Sequence, residues 1–276
     1  MRITCVIVSY NNGRLLQHAI MSVITQSHSV DEILVADDGS TDESRQIIAG
    51  FSHRFPRIRP IFRERNLGVS ANRDLAVREA QGDFVTTLDG DDYILPTKIQ
   101  AEVTAIKQSR ALIAFSDVKM IDHRNGKSWV EETAHLSALD PSARVRWLLW
   151  KRTLPRFMTL AKNVHMEIGG YQHDLRTWED WDYMLRLAMT PYGWVHSGAV
   201  GPVVRLGTRG LSNIEPYQHA KQRCLVIWRN QELIRAHVGL PFLALALGRV
   251  VLVGAKWQGK TWYRRAHHGI LHPVVR

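Results

Sequence analysis

Short apolar segments alternate with amphipathic segments along the first 118 residues, and this alternation constrains the fold more than any other feature of the chain. Residues 3–9 (ITCVIVS), 32–38 (EILVADD) and 83–89 (DFVTTLD) are rich in apolar and β-branched side chains, as strands buried on both faces are. Between them, apolar side chains such as Leu16 and Ile20 recur at helical spacing. Strands that alternate with helices predict an α/β fold with a mostly parallel sheet and helices on both faces.

The remaining elements are predicted from the same two periodicities. We expect further strands at residues 57–62, 111–118, 156–163 and 200–206, and helices at residues 15–24, 44–51, 70–80, 96–108 and 179–189. The stretch 121–151 is less regular, with a tight turn predicted at Asn125-Gly126 and a short helix that opens at Pro141.

Polar residues occupy four predicted strand ends, which read SYN (9–11), DDGS (37–40), DGDD (89–92) and SD (116–117). Ligands of parallel sheets bind beyond these carboxyl ends. Asp89, Asp91 and Asp92 stand within four residues, and carboxylates this close favour a bound proton or a shared cation. The alternative for DGDD alone is an acidic turn after a strand. The shared rim favours a site for a cation and sugar hydroxyls.

The positive charge is concentrated at the C-terminal end. The chain carries a net charge of +10, and residues 216–276 contain ten Lys or Arg against one acid, Glu232. Residues 238–255 are apolar but interrupted by Pro241 and Arg249, which disfavours a membrane span. The aromatic and basic residues that follow are typical of a helical segment held on anionic lipid. The alternative is a basic appendage packed on the catalytic domain, and no nucleic-acid-binding module is recognised.

The N-terminus and the cysteines predict a cytoplasmic protein. Residues 1–12 (MRITCVIVSYNN) lack the pattern of a signal peptide. Cys5 and Cys224 are too few for a disulfide framework, which agrees with a reducing compartment.

Residues 3–213 resemble the family 2 glycosyltransferases, which have the GT-A fold and use nucleotide sugars. The matching stretches, in that family's order, are CVIVSYNN, ILVADDGSTDES, RNLGVSANRDLA, GDFVTTLDGDD and IGGYQHDLRTWEDWDYMLRLA. The resemblance implies a catalytic domain over residues 1–215, with a nucleotide-sugar-binding half (1–118) and an acceptor-binding half (119–215). Residues 216–276 would form the basic C-terminal helical region.

The resemblance also implies which residues bind the donor. Tyr10 would pack against the base with Ser9 beside it, although a strand-end tyrosine can also simply cover the core. Asp38 would accept a hydrogen bond from the base. Arg73 aligns with an arginine near the nucleotide, but its neighbours Asn72 and Asp74 depart from the family's usual A-R-N pattern, so a surface helix is an alternative.

A divalent cation, Mg²⁺ or Mn²⁺, follows from the family's D-x-D motif. Asp89 and Asp91 match it, and all-oxygen ligands suit both ions. Asp92 is expected to cap the next turn. Arg205 and Ser212 fit the family's late Y-R-x-H-x-x-S-x-S motif, but its histidine position is Gly207 here. His196 is the candidate replacement ligand, with water or a purely structural histidine as alternatives.

The segment TWEDWDY (177–183) is predicted to supply the catalytic base. In the family the aspartate of an E-D pair deprotonates the acceptor hydroxyl, which assigns Asp180 as the base and Glu179 as the alternative. Trp178 and Trp181 are expected to line the sugar site, although aromatic residues are also ordinary core residues. A helix N-terminus favours carboxylates for structural reasons alone.

These residues together predict an inverting glycosyltransferase. The donor would be a nucleoside diphosphate sugar, UDP-linked in our expectation, and the acceptor a hydroxyl of a glycan or lipid-linked glycan in bacterial cell-surface polysaccharide synthesis. The enzyme would be cytoplasmic, with peripheral attachment to the inner face of the membrane through its tail. The alternatives are a sugar nucleotidyltransferase and a non-catalytic nucleotide-sugar-binding module. A nucleotidyltransferase would carry a glycine-rich G-x-G-T-R loop after the first strand, where this chain has SYNNG (9–13).

Overall fold

The structure is a computed structural model that describes residues 1–150, 154–175, 177–207 and 216–268, with the backbone alone at 216–217 and 252–268. The predicted late-motif residue Ser212 lies outside the described residues. The side chains of the basic and aromatic tail beyond residue 251 lie outside them as well.

The first half of the chain forms a parallel sheet, as predicted. The strands β1 (Ile3–Ser9), β2 (Glu32–Asp37), β3 (Ile58–Phe62) and β4 (Phe84–Asp89) pair in the order β3-β2-β1-β4, all parallel. The helices that follow them are α1 (Gly13–Ile24), α2 (Ser44–Arg54), α3 (Val69–Glu79) and α4 (Lys98–Ser109). The carboxyl ends of β1, β2 and β4 therefore lie side by side.

The second half of the sheet is mixed rather than parallel. Its strands are β5 (Tyr93–Ile94), β6 (Ile113–Asp122), β7 (Lys127–Glu131), β8 (Thr159–Ala161) and β9 (Trp194–Leu206). Strand β8 inserts antiparallel between β4 and β6, β9 runs parallel to β6, and β5 and β7 pair antiparallel at the edges. The expectation of a mostly parallel sheet therefore holds for β1 to β4 and for the pair β6 and β9, whereas β5, β7 and β8 are antiparallel to their neighbours.

Three element boundaries differ from the predicted ones. Strand β6 continues through Asp117 to Asp122 because it pairs with both β7 and β9, so SD (116–117) is not a strand end. The predicted strand 156–163 is limited to Thr159–Ala161, since a short helix, α6 (Lys162–Glu167), begins directly after it. Strand β9 begins at Trp194, earlier than predicted.

The other helices of the second half contribute buried residues to one of the two apolar cores. They are a 3₁₀ helix (Ala134–Ala138), α5 (Pro141–Trp150), α7 (Glu179–Ala188), α8 (Pro216–Arg229) and α9 (Gln231–His268). Helix α9 is kinked at Gly239, whose φ of 78° is followed closely by Pro241. Helices α5 and α7 occupy the positions that the sequence predicts.

Two apolar cores lie on opposite faces of the sheet. Successive residues of β1 alternate between them, with Val6 and Val8 in one core and Cys5 and Ile7 in the other. Helices α1, α2 and α4 contribute to the second core, and α3, α5 and α7 to the first. Helices on both faces of an α/β sheet are therefore confirmed.

The C-terminal helices are part of the first core. Val226 and Ile227 of α8 and Ile234, Leu243 and Val250 of α9 are all buried within it. Of the two predicted alternatives for this region, packing on the catalytic domain therefore describes α8 and the first half of α9. The boundary at residue 215 stays a prediction.

A buried ion pair joins α4 to the centre of the sheet. Lys98 Nζ lies 2.8 Å from Glu102 Oε2, and both side chains are fully buried. Lys98 also donates to the Thr86 hydroxyl and to the Phe157 carbonyl, while Glu102 accepts from Ser116. Because every charge has partners, the pair can hold β4, β6 and the segment before β8 together without an uncompensated charge.

We predict that Lys98→Met lowers the free energy of unfolding by about 3 to 5 kcal/mol, because it leaves the Glu102 carboxylate buried without its counter-ion. Urea denaturation followed by circular dichroism measures this change. Lys107→Met, at an exposed lysine of the same helix, is the control and should change the value by less than about 0.5 kcal/mol. Equal effects of the two substitutions would contradict the prediction.

Candidate active site

The acidic turn after β4 is held in place by backbone contacts. Gly90 is required at its tip, since an added Cβ would lie 2.8 Å from the Asn12 side chain and 3.0 Å from the Val8 carbonyl oxygen. The buried Asp92 carboxylate accepts the Arg205 backbone N–H at 2.7 Å, and the Arg205 guanidinium donates to the Asp91 carbonyl at 2.8 Å. Asp92 therefore anchors the turn to β9 and does not cap the next turn.

The three carboxylates of the turn form a cluster that fits a cation. Asp89, Asp91 and Asp92 each offer an oxygen, and these oxygens lie within 4.8 Å of one another. Burial and the negative charges of Asp91 and Asp89 raise the pKa of Asp92 well above its usual range. A divalent cation would relieve this repulsion, and an all-carboxylate oxygen set suits a hard ion such as Mg²⁺ or Mn²⁺.

Arg73 of α3 connects this turn to the start of α7. Its buried guanidinium donates to Asp89 Oδ1 at 2.5 Å and to Glu179 Oε1 at 3.1 Å, and it lies over the Tyr171 ring at 5.2 Å. The alternative that Arg73 lies on a surface helix is therefore wrong. Its partners are the carboxylates of Asp89 and Glu179, and its place near the nucleotide stays a prediction.

Glu179 and Asp180 begin α7 but differ in their surroundings. Glu179 is buried, and burial together with the neighbouring Asp180 raises its pKa to about 7, against the opposing charge of Arg73. The Asp180 side chain is 39% exposed. One of its oxygens accepts the Trp181 N–H at 2.7 Å, and the other lies 3.6 Å from the Arg156 guanidinium. Asp180 is thus the carboxylate of the pair that is accessible from the pocket.

Arg156 is a site residue that the sequence interpretation missed. It lies in the segment before β8, beside Phe157, whose φ of 51° is unusual for a residue with a side chain. Besides Asp180, the negative charges of Asp89 and Asp92 stabilise its cation and raise its pKa although the side chain is partly buried. The available signal was one arginine in an otherwise apolar stretch, LPRFMTL (154–160), which by itself indicates little.

A single pocket brings these groups together. It is lined by charged side chains from β4, α3, α7 and the segment before β8, and by aromatic and apolar residues beneath them. The charged members are Arg73, Asp89, Arg156, Glu179 and Asp180. A carboxylate at the end of β4 and a carboxylate at the start of α7 therefore face the same space, although 91 residues separate them in the sequence.

The predicted base-binding residues lie at the neighbouring strand ends. Tyr10 is 46% exposed directly after β1, so its ring is available to a ligand. Asp38 is only 2% exposed, and its two oxygens accept the Leu67 and Gly68 N–H groups at 2.8 and 2.9 Å. Ser9 is buried as well, with a hydroxyl oxygen that has no partner. Asp38 therefore positions a loop of the site, and its contact with a base stays a prediction.

Three predicted site residues are placed elsewhere by the structure. Trp181 is 1% exposed, and its indole N–H donates to the Leu148 carbonyl, so it is a core residue and does not line a sugar site. Trp178 is partly buried against α8, where its indole N–H donates to His219. His196 has both ring nitrogens in hydrogen bonds, with Asp117 and the Gly198 N–H, which leaves no nitrogen for a metal ion. The structure therefore agrees with the alternative of a structural histidine and not with the prediction of His196 as a metal ligand.

The comparison with protein families agrees with this arrangement. Residues 4–172, more than half of the chain, match the family described as Glycosyl transferase family 2. The chain belongs to this family. Membership of this family argues against the sugar nucleotidyltransferase and for a glycosyltransferase domain.

Individual relatives of this family 2 enzyme match parts of it. An uncharacterised glycosyltransferase of Nostoc sp. is 37% identical over 123 residues, which are 44% of this chain and 38% of the relative. A cholesterol galactosyltransferase of Borreliella burgdorferi is 31% identical over 115 residues, 42% of this chain and 32% of that protein. The chain thus spans well under half the length of these curated relatives.

Solved structures share the fold of the enzyme. S. aureus TarS 1-349 in complex with UDP-GlcNAc superposes with a TM-score of 0.69 over 94% of this chain and 72% of that one, at 16% sequence identity. At this identity the likeness shows the fold, and it confirms the predicted GT-A architecture.

We predict that Glu179→Gln makes folding stability less dependent on pH. Because the pKa of Glu179 is raised from 4.5 to about 7, the folded state holds this proton more tightly than the unfolded state. Its contribution to stability is full below pH 4.5 and is lost as the pH rises through 7. The unfolding free energy of Glu179→Gln minus that of the wild type should therefore increase by about 3 kcal/mol between pH 4.5 and 8.

Urea unfolding at several pH values measures this difference, with Glu64→Gln at an exposed glutamate as the control that should show none. A flat difference for Glu179→Gln would mean that Arg73 keeps the glutamate ionised throughout.

Proposed function

We propose that this family 2 enzyme is an inverting glycosyltransferase that moves a sugar from a UDP-sugar to a hydroxyl group of a glycan or lipid-linked acceptor. The observation that carries the proposal is the Asp180 carboxylate, accessible in the same pocket as Asp89. In a single displacement the acceptor oxygen attacks the anomeric carbon while Asp180 accepts its proton, and the bond from that carbon to the diphosphate oxygen breaks. Such a displacement inverts the anomeric configuration and uses no covalent intermediate.

The charges of the pocket support this assignment of roles. Glu179 is buried against Arg73, whereas Asp180 is accessible, so Asp180 is the better placed of the two to receive a proton from an acceptor. Arg156 lies next to Asp180 and close to the carboxylates of the acidic turn. We infer that this guanidinium pairs with Asp180 before the donor binds and with the donor phosphates afterwards.

We propose Asp89 and Asp91 as ligands of Mg²⁺ or Mn²⁺, with Asp92 behind them as the anchor of the turn. Bound there, the cation would screen the negative charge of the diphosphate. The chain's own contribution is to hold the turn rigidly through Gly90 and Arg205. In the free protein Arg73 partly neutralises Asp89.

A UDP-linked donor is proposed from two sources. The fold neighbour TarS 1-349 is described in complex with UDP and with UDP-GlcNAc. In this chain Tyr10 lies exposed at the end of β1, next to β2 and Asp38, which is a suitable place for a planar base. We expect thermal stabilisation by UDP in the presence of Mn²⁺ and weaker stabilisation by GDP.

We predict that Asp180→Asn lowers turnover by about 10² to 10⁴-fold, because an amide cannot accept the acceptor proton. Release of UDP from UDP-glucose, UDP-galactose and UDP-GlcNAc, with water as acceptor, measures turnover. Calorimetric binding of UDP with Mn²⁺ should stay within about twofold of the wild type, and EDTA should abolish turnover.

The matched control is Asp83→Asn, an exposed aspartate at the opposite end of β4, which should leave turnover unchanged. Retained turnover in Asp180→Asn would refute the assignment of the base. Full activity in EDTA would refute the metal requirement.

The C-terminal helix supports a membrane-surface location. Residues Gln231–Val251 are the stretch of the described chain that is long and apolar enough to cross a membrane. One face of this helix is buried in the core, and the other carries the exposed side chains Leu233, Leu240, Leu245 and Val251. A helix that packs on its own domain along one face is better placed to lie in the membrane interface than to span it.

We therefore propose a cytoplasmic enzyme that attaches to the inner face of the cell membrane and extends a lipid-linked glycan of a bacterial cell surface. The basic residues of the tail would contact anionic lipid headgroups. An acceptor fixed in the membrane would then meet an enzyme held at the same surface.

We predict that the full-length protein floats with anionic liposomes and that Leu240→Glu with Leu245→Glu reduces the bound fraction at least tenfold. The two leucines are 63% and 55% exposed, so the glutamates should leave the fold intact while removing apolar surface from the interface. Met21→Glu, at an exposed methionine of α1, is the control. Flotation that is equal for all three proteins would refute the membrane proposal.

A further inference from the structure

Helix α8 contacts the chain on both sides of the Glu179-Asp180 pair. His219 and Arg223 lie one helical turn apart, so they present their side chains on the same face of α8. His219 meets Trp178, and Arg223 meets both Trp178 and Trp181. We call His219 and Arg223 the α8 clamp. Neither residue belongs to the motifs from which the site was predicted.

Trp178, the residue before Glu179, is held in an unusual backbone conformation. Its φ of 64° and ψ of 17° are left-handed, a region that residues with a side chain rarely adopt. No side chain caps the helix at this position. The indole N–H instead donates to His219 Nδ1 at 2.9 Å, and the two rings meet edge to face at 5.7 Å. A contact from another helix therefore fixes the residue that sets the direction in which α7 begins.

Arg223 contacts Trp181, the residue that follows the Glu179-Asp180 pair, as well as Trp178. Its buried guanidinium lies 5.2 Å from the Trp178 ring centre and 5.1 Å from that of Trp181. The two indoles meet edge to face at 5.8 Å. The backbone N–H of Trp181 is the donor to Asp180 Oδ1 at 2.7 Å. The orientation of the Asp180 carboxylate is thus tied to a tryptophan that Arg223 holds.

We propose that His219 and Arg223 are positioning residues for Asp180, acting through Trp178 and Trp181. This inference rests on the proposed function, in which Asp180 is the base. If His219 and Arg223 have this role, the C-terminal helical region contributes to the geometry of the catalytic site, because α8 and α9 share one core with α7. A movement of the C-terminal helices on a surface would reach Asp180 through the α8 clamp.

A purely structural role would have a different signature. Loss of packing alone would lower the unfolding midpoint and affect donor binding and turnover together. Loss of positioning should lower kcat while KM for the donor and UDP binding stay nearly constant. The groups proposed to bind the base and the metal lie at the ends of β1, β2 and β4, and Arg156 lies before β8, so none of them belongs to α7 or α8. The hydrogen bond from the Trp178 indole can be tested separately from the size of the side chain at position 219. An asparagine there can place an oxygen close to the position of His219 Nδ1 and accept the same hydrogen bond.

The experiment compares His219→Leu, His219→Asn and Arg223→Lys with the wild-type full chain. UDP release from UDP-glucose, UDP-galactose and UDP-GlcNAc with Mn²⁺ gives kcat and KM, and calorimetry gives UDP binding. Lys221→Leu, at an exposed residue of the same helix, is the matched control. We expect kcat to fall about 10 to 100-fold in His219→Leu and Arg223→Lys, with KM and UDP affinity within twofold. We expect His219→Asn to recover most of the lost kcat.

An unchanged kcat in His219→Leu and Arg223→Lys would overturn the inference. It would also be overturned by equal losses in kcat and UDP affinity, or by no recovery in His219→Asn. Asp180→Asn, measured in the same assay, separates the failure of this inference from the failure of the proposed function. If that variant turns over like the wild type, the assignment of the base fails. If it is inactive while the clamp variants are fully active, only the positioning role fails.

Discussion

The guanidinium of Arg73 joins the two carboxylate groups on which the site depends. It is buried between Asp89 at the end of β4 and Glu179 at the start of α7, and the Tyr171 ring covers it. A buried cation is costly unless its partners compensate for the lost hydration, and here two carboxylates and an aromatic face do so. Because Asp89 and Glu179 come from opposite halves of the chain, this contact sets the distance between the acidic turn and Asp180.

The surroundings of Arg73 are themselves fixed by a second buried charge. Asp74, the next residue on α3, accepts the Tyr171 N–H at 3.0 Å and contacts the rings of His165 and His173 at 3.1 and 2.8 Å. The hydrogen bonds from His165, Arg78, His173 and Tyr171 hold the pKa of Asp74 well below its usual range despite burial. They also hold Tyr171 over Arg73. Asp74 stands where the family's A-R-N pattern has asparagine. This departure therefore has a structural role, because the Asp74 carboxylate holds the segment that contains Tyr171.

The C-terminal helices α8 and α9 pack into the core of the catalytic domain and are not a separate appendage. Their charge and apolar composition indicate an appendage, yet α8 and the first half of α9 complete the core that α7 packs on. Trp178 and Trp181 illustrate the difference, because the residues expected to face a sugar face α8 instead. Among the described residues, the proposed membrane surface is the outer face of α9, so attachment and catalysis would involve opposite sides of one helical layer.

The sequence alone determined the parallel half of the sheet, the helices around it, and the acidic turn at Asp89 and Asp91. These features depend on local periodicity and on residues close together in the chain, which a linear pattern contains. The tertiary structure decided what long-range contacts control. It inserted β8 antiparallel, where a three-residue strand has too little periodicity to predict its direction. It also placed Arg156 beside Asp180, buried Trp181 and paired His196 with Asp117 and Gly198. Burial and pairing of these side chains depend on segments distant in sequence, which local periodicity does not encode.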